Sequence, residues 1–273
     1  MWLARTGIIC SSLGVVVYDT DALAYITNAN ITDSTQKSAV NELFLDFKSA
    51  GIYTKMTAFY PMLGGNAFSH KFNAKDPRDL DAAYRLSFVG GWNHTTTGAL
   101  PNGTTGYANT FITPLNNLTS LSHMSFYSRT DSTNYYMLGV QDDQTAIGAQ
   151  MYLEGNKTID YYSCSNVDAS GITISSTSTT GMYIVSRTTN QSLKAYKNGT
   201  LVGSNVSASF GYRANIRLYL CGSNYRNSGG TNTIFYGNKE CAFASIGSGL
   251  TDAEALALRT AVQKFNTTLG RNI

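Results

Sequence analysis

Three histidines, His70, His94 and His123, are the residues of this chain best suited to moving protons. Nucleophilic catalysis would need one of them held against a Ser or Cys and oriented by a carboxylate. Their preceding residues are Ser69, Asn93 and Ser122. No G-x-S-x-G elbow presents a nucleophile. The three therefore read as hydrogen-bonded structural histidines. Glycoside hydrolysis would need two carboxylates flanking a sugar. Glu42 and Asp46 lie four residues apart on an expected helix, where such a pair is solvated, and Glu154, Glu240 and Glu254 stand singly. The expectation is a protein without catalytic residues, not an enzyme.

Binding is harder to dismiss. Sugars stack their apolar faces on aromatic rings flanked by polar side chains. Trp92, Tyr135, Tyr136 and Tyr225 lie near loops rich in Asn and Gly and are the candidate glycan contacts. The competing reading for each is packing on a sheet face, where Tyr and Trp are common. Asp76, Asp79 and Asp81 share one loop, so calcium is the one cofactor left open. The loop lacks the Gly and bidentate Glu of an EF-hand, which favours turn and capping roles. Cys10, Cys164, Cys221 and Cys241 have no C-x-x-C spacing, so zinc is not expected. They read as reduced thiols, with a Cys221–Cys241 bridge open to an exported protein. Sequons such as Asn93-His94-Thr95 and Asn198-Gly199-Thr200 follow from an Asn- and Thr-rich composition.

The elements that position these residues are mostly short strands. Charged residues make up only 14% and the net charge is +3. The cations are scattered, which argues against nucleic-acid binding, since that needs clustered Lys and Arg. The opening residues carry one Arg and an apolar run, yet Cys, Ser and Gly interrupt it. They read as an arm or first strand rather than a signal peptide. No run is long enough to span a membrane.

Residues 21–27 and a longer segment from Thr32 or Asp33 to Gly51 read as helices. In the second, Val40, Leu43, Phe44 and Phe47 fall on one face. At the C-terminus Thr251 and Glu254 form a capping box, and Ala255, Leu258, Val262, Phe265 and Leu269 line one face up to Gly270. Between the helices, alternation bounded by Gly, Pro and Asn predicts strands at 84–89, 110–113, 123–128, 135–140, 146–153, 160–164, 182–187, 216–221, 233–236 and 241–246. Asn198-Gly199 between two alternating runs predicts a hairpin over 192–203. Many short strands at this spacing favour a sandwich.

The stretch 59–128 goes further. Its runs Phe59-Tyr60-Pro61-Met62-Leu63-Gly64-Gly65, Lys75-Asp76-Pro77-Arg78-Asp79-Leu80-Asp81 and Gly90-Gly91-Trp92-Asn93-His94-Thr95 resemble a block in structural proteins of tailed bacteriophages of Bacteroidetes hosts, including the crAss-like group. Residues 21–57 resemble the helical lead-in, and 243–273 the closing segment of laminin-G-like or concanavalin-A-like jelly rolls in such proteins. The 197–203 hairpin is similar to one that recurs in laminin-G-like folds. Concanavalin-A-like glucanases carry an E-x-D-x-E strand, and this chain has none.

The resemblance implies a mainly β fold: a two-sheet antiparallel jelly-roll sandwich with an N-terminal helical segment and a C-terminal helix. Residues 1–58 would form the arm and lead-in and 59–273 the sandwich. It implies a virion structural protein of tail, fibre or capsid decoration, located in the virion and assembling with other virion proteins and copies of itself as a homo-oligomer. The alternative is a carbohydrate-binding module for host surface glycan.

Overall fold

Side-chain caps fix where the helices begin. A computed structural model describes residues 17–132, 136–144, 149–155, 158–165, 171–206 and 213–273. The opening residues 1–16, with the arm expected there and Cys10, lie outside it. Asp19 accepts the Asp21 and Ala22 amides to start α1 (Thr20–Asn28). Asp33 accepts the Gln36 amide at 2.8 Å to start α2 (Ser34–Ser49). Such caps satisfy amides that have no partner inside the helix.

The chain then runs through β1 (Met56–Tyr60), α3 (Ala67–His70), β2 (Ser87–Val89), β3 (Trp92–Thr95), β4 (Gly98–Pro101), β5 (Tyr107–Asn109) and α4 (Pro114–Asn117). Next come β6 (Ser122–Ser128), β7 (Tyr136–Asp142), β8 (Ala149–Gly155), β9 (Thr158–Ser165), β10 (Ile172–Ser175) and β11 (Gly181–Thr189). β12 (Ser192–Lys197) and β13 (Thr200–Asn205) form the expected hairpin, with Asn198 at φ 50° and Gly199 at φ 84°. β14 (Tyr219–Leu220), β15 (Gly222–Arg226), β16 (Asn232–Tyr236), β17 (Cys241–Ser248) and α5 (Asp252–Thr268) complete the chain.

These strands make two sheets. The first has the order β13-β12-β11-β6-β17-β4-β3, with β1 also on β17. The second has the order β10-β9-β8-β7-β14-β5-β2, with the β15–β16 hairpin attached to β7. The fold is mainly β, a two-sheet sandwich with a few helices. Among the described residues its pairing is antiparallel apart from β15, which runs parallel to β7.

Three predicted strands are corrected. Over 84–89 only Ser87–Val89 is extended, because Tyr84 ends a 3-10 turn at φ 59°. Residues 110–113 form no strand, because Phe111 sits at φ 59° and the extended run is 107–109. Of 216–221, only Tyr219–Leu220 pairs in the sheet.

The first sheet separates two cores. Met124, Phe126, Tyr183, Val185 and Ile246 face the second sheet and meet Leu138, Val140 and Leu220 there. Tyr127, Met182, Ile184 and Phe243 face the other way and meet the helices. Phe44 and Phe47 of α2 pack edge-on against Phe59 at 5.2 and 5.4 Å, and Phe47 also meets Phe243 at 6.2 Å. Each such buried side chain contributes about 1.5–3 kcal/mol, and an edge-on ring pair adds roughly 0.5–1.5 kcal/mol. β1 therefore straddles residues 58 and 59, and the lead-in helices cover the sandwich they precede.

α5 closes this layer. Thr251 and Glu254 form the capping box, and Leu250 and Ala255 are both buried in the helix-side core. Beyond Gly270, Arg271 turns inward with 1% exposure. Its guanidinium donates to the carbonyls of Pro61, Met62 and Ala242 at 2.7–2.9 Å and to Asn266 Oδ1 at 2.7 Å. One side chain thus ties the chain terminus to the exit of β1 and to β17. Removing it strands several buried acceptors, each costing about 1–3 kcal/mol. Arg271→Ala is expected to lower unfolding free energy in urea by at least about 3 kcal/mol; an unchanged midpoint refutes this role.

Candidate functional site

β6 places His123 among hydroxyls. Its Nδ1 lies 2.6 Å from the Ser248 carbonyl, which can only accept, so Nδ1 carries the proton. Nε2 then accepts from the Ser245 hydroxyl at 3.0 Å, and Ser245 Oγ is 2.6 Å from Ser125 Oγ. A Ser–His contact exists, but His123, Ser125 and Ser245 are fully buried, so no substrate reaches them. Burial pulls the His123 pKa down to about 4.

His70 on α3 and His94 on β3 meet directly, with their Nδ1 atoms 2.9 Å apart. One donates and the other accepts, and both Nε2 atoms are buried without a hydrogen-bond partner among the described residues. Burial, the neighbouring imidazole and Arg271 bring His70 to about 3, and burial lowers His94. The pair is a neutral packing unit: Phe88 meets His94 edge-on at 4.6 Å, and Trp92 stacks on it at 5.8 Å. Among the described residues, no three His, Cys, Asp or Glu side chains converge as for a metal ion.

The carboxylates are taken up in ion pairs. Asp76 binds Arg78, Asp79 binds Lys71 and Arg85, and Asp81 binds Arg85. Asp79 and Asp81 thus converge on a guanidinium, and Asp76 on a different one. Glu42 and Asp46 both reach Lys264 of α5. Glu240 pairs with Arg129, and Glu254 pairs with Lys55 while capping α5. The Glu154 side chain lies outside the described residues. Cys221 and Cys241 are buried free thiols; the Cys164 side chain also lies outside the description.

The four candidate glycan contacts part company. Tyr135 lies outside the described residues. Trp92 is half-buried on β3 of the first sheet, with Nε1 donating to the Val89 carbonyl at 3.0 Å. Beside it a shallow depression of about 330 Å³ is lined by Asn93, Leu100, Pro101 and Asn102. Tyr136 and Tyr225 belong to the second sheet and meet around a third ring. Phe235 stacks on Tyr136 at 5.5 Å and 28°, and lies 6.0 Å and 34° from Tyr225. Phe235 is 41% exposed, so this three-ring stack meets solvent. The sequence predicts β16 as a strand over 233–236, and Phe235 is not among the candidate contacts it offers. Alternation within β16 marks Phe235 and Thr233 as sharing a face, which is the signal that was there to use.

Two glycines allow the stack. A Cβ on Gly139 would lie 2.6 Å from the Ser223 Cβ, so only glycine lets β15 settle alongside β7. A Cβ on Gly237 would lie 2.1 Å from the Tyr136 carbonyl oxygen, so the end of β16 presses on the start of β7. Polar groups border the rings. The Tyr225 hydroxyl donates to Asp143 Oδ2 at 2.9 Å, and Gln141 Nε2 donates to Asp143 Oδ1 at 3.2 Å. Arg226 grips the buried Asp142 with two hydrogen bonds, at 2.9 and 2.7 Å. Further along the second sheet Tyr107 and Tyr219 stack at 4.5 Å. They alternate with Ala108 and Leu220 of the inter-sheet core, so they point away from it.

No protein-family model matches the chain, and no curated protein is similar to it in sequence. Solved structures share its fold. One is of botulinum neurotoxin type C, a protein whose way into cells depends on interaction with two ganglioside molecules. It is 12% identical at a TM-score of 0.52, over 79% of this chain and 53% of that one. The binding domain of botulinum neurotoxin DC, solved with rat synaptotagmin II, is 10% identical at 0.51, over 78% and 52%. A Trypanosoma rangeli sialidase mutant with trans-sialidase activity is 10% identical at 0.49, over 82% of this chain and 39% of that one. The chain spans about half or less of these three proteins. The likeness to the two toxin structures is one of fold: a β-sandwich. No helix among the described residues is long and apolar enough to cross a membrane.

The buried imidazoles set a pH dependence. The unfolded chain binds protons on its histidines near pH 6.5, whereas folded His123 does so only near pH 4. The His123 contribution to folding stability is therefore constant above about pH 7 and is lost as pH drops from about 6.5 towards 4, on the order of 3 kcal/mol in all. In urea titrations His123→Gln is expected to flatten this slope by about one proton; an unaltered slope refutes it. With Asp76, Asp79 and Asp81 paired to cations, millimolar calcium or EDTA is expected to leave the thermal midpoint unchanged within about 1 °C.

Proposed function

We propose that this chain is a carbohydrate-binding β-sandwich of the concanavalin-A-like jelly-roll kind, binding glycan without cleaving it. The observation that carries this reading is the ring stack Tyr136–Phe235–Tyr225, with Phe235 open to solvent and hydrogen-bonding side chains at its border. An exposed ring offers the apolar face of a sugar a partner, and nearby amides and hydroxyls meet its hydroxyl groups. The toxin whose way into cells depends on gangliosides supports the reading as a precedent for such a sandwich. The inaccessibility of His123 and the pairing of the carboxylates support binding without hydrolysis.

The sequence resemblance to phage structural proteins supports a second reading, an assembly role in the virion. One surface favours it: Leu256 is 52% exposed beside an open groove of about 430 Å³ between α2 and α5. The two readings are compatible, since a virion protein contacting host glycan needs both an assembly face and a binding face. Gold-labelled antibody on purified particles tests the second, and particles without label or matching peptides overturn it.

Glycan-array binding tests the first. Phe235→Ala is expected to weaken binding about tenfold or more with the thermal midpoint preserved, while Tyr225→Phe, which keeps the ring, weakens it less. Equal binding by wild type and Phe235→Ala refutes the assigned surface.

A further inference from the structure

Cross-strand pairing fixes which side chains share the face of the ring stack. Tyr225 stands opposite Gln141 of β7 on one side and Thr233 of β16 on the other. Partners in register point to the same side of a sheet, so Gln141, Tyr225 and Thr233 form one row across three strands. The adjacent row, Val140, Asn224 and Ile234, points the opposite way. Val140 and Asn224 are buried, Val140 in the inter-sheet core. The Gln141–Tyr225–Thr233 row therefore faces away from that core, with Thr233 exposed and the other two half-buried. Two residues along each strand, Gly139, Ser223 and Phe235 form a second row on this face. Gly139 has no side chain and Ser223 is buried, so that row offers a ligand only the Phe235 ring.

Resting on the carbohydrate-binding reading, we propose that this face binds a glycan segment of at least two linked sugars laid across the strands, with Thr233 and Gln141 reading its hydroxyl groups from either side of Tyr225. Neighbouring strands lie about 4.8 Å apart, so the row runs roughly 10 Å from Gln141 to Thr233, about the length of two linked sugar rings. Its centre is a ring held in place: the Tyr225 hydroxyl donates to Asp143 Oδ2 at 2.9 Å, and the ring lies 6.0 Å from that of Phe235. Its two ends are an amide and a hydroxyl, which both donate and accept and so meet sugar hydroxyls in either role. Gln141 Nε2 donates to Asp143 Oδ1 at 3.2 Å, which orients the amide. A single sugar on Tyr225 reaches one end of the row, and a second sugar is needed to reach the other.

The experiment is a glycan array that includes series of one to four glucose, galactose, mannose or N-acetylglucosamine units, with hits titrated in solution. It is read with wild type, Phe235→Ala, Thr233→Val and Gln141→Met, the last two keeping side-chain size while removing the hydroxyl or the amide. In a bound series the disaccharide is expected to bind at least about tenfold more tightly than the monosaccharide. Thr233→Val and Gln141→Met are each expected to weaken the disaccharide roughly three- to tenfold with the thermal midpoint preserved, whereas only one of them weakens the monosaccharide. Phe235-dependent binding with equal affinity for mono- and disaccharide, or a disaccharide indifferent to either variant, overturns this inference and leaves the site in place. Binding that ignores Phe235, or none to any glycan, overturns the site itself.

Discussion

The first sheet must be apolar on both faces, and the rest of the structure answers to that constraint. β6 is buried at every position, and β11 and β17 at all but their last residues. A sandwich of two sheets covers only one face of each. The helices that begin and end the described chain supply the other cover, with Tyr25, Phe44, Phe47 and Phe265 among their contributions. Arg271 then anchors the end of this helical layer to the carbonyls of Pro61, Met62 and Ala242. A charged group is tolerated in that core because it is hydrogen-bonded on several sides, although burial still pulls its pKa down to about 10.

The same constraint decides where chemistry is possible. Every histidine lies on or against the first sheet and is held neutral by burial: His123 among hydroxyls, His70 and His94 against each other. Side chains that look reactive in the sequence are spent on satisfying one another inside a dry layer. Among the described residues, the helix-side core does not include the second sheet, where Tyr107 and Tyr219 are half-buried and Phe235 is exposed.

What the sequence disclosed follows the range of the interactions. The Thr251–Glu254 box and the Asn198-Gly199 turn act over two to four residues and form as expected, and of the two cap candidates Thr32 and Asp33 the structure uses Asp33. Tyr84 and Phe111 defeated the strand assignments through partners far away or through uncommon backbone. The Tyr84 carbonyl accepts from Tyr60, and Arg217 covers the Phe111 ring at 4.6 Å. Thr110 bonds to the Leu218 carbonyl across 108 residues, which no local pattern announces. Alternation predicts β6, β11 and β17 as half-buried strands, whereas nearly every position of each is buried, because the helices cover the face that the second sheet does not. Of the candidate sugar contacts, Tyr136 and Tyr225 were visible as aromatics near Asn- and Gly-rich loops, whereas the ring that joins them was not, because β16 reaches β7 only through tertiary pairing.

That pairing turns on one residue. β14 runs antiparallel to β7 and β15 runs parallel to it, so the chain reverses between Leu220 and Gly222. Cys221 makes the reversal at φ 55°, a conformation that costs a non-glycine residue about 1 kcal/mol or more. Its surroundings over-determine it. The Cys221 amide donates to the Met137 carbonyl at 2.7 Å, its carbonyl accepts from Gly237 at 3.0 Å, and its thiol is buried within reach of the Lys239 carbonyl. Both ends of the β15–β16 hairpin are thereby fixed to the start of β7, where Tyr136 stands. The strained residue is a packing element rather than a reactive thiol: burial raises its pKa, so the thiolate is suppressed at neutral pH. The ring stack is thus held by the buried turn beneath it, and it presents a preformed surface rather than one assembled on contact with a ligand.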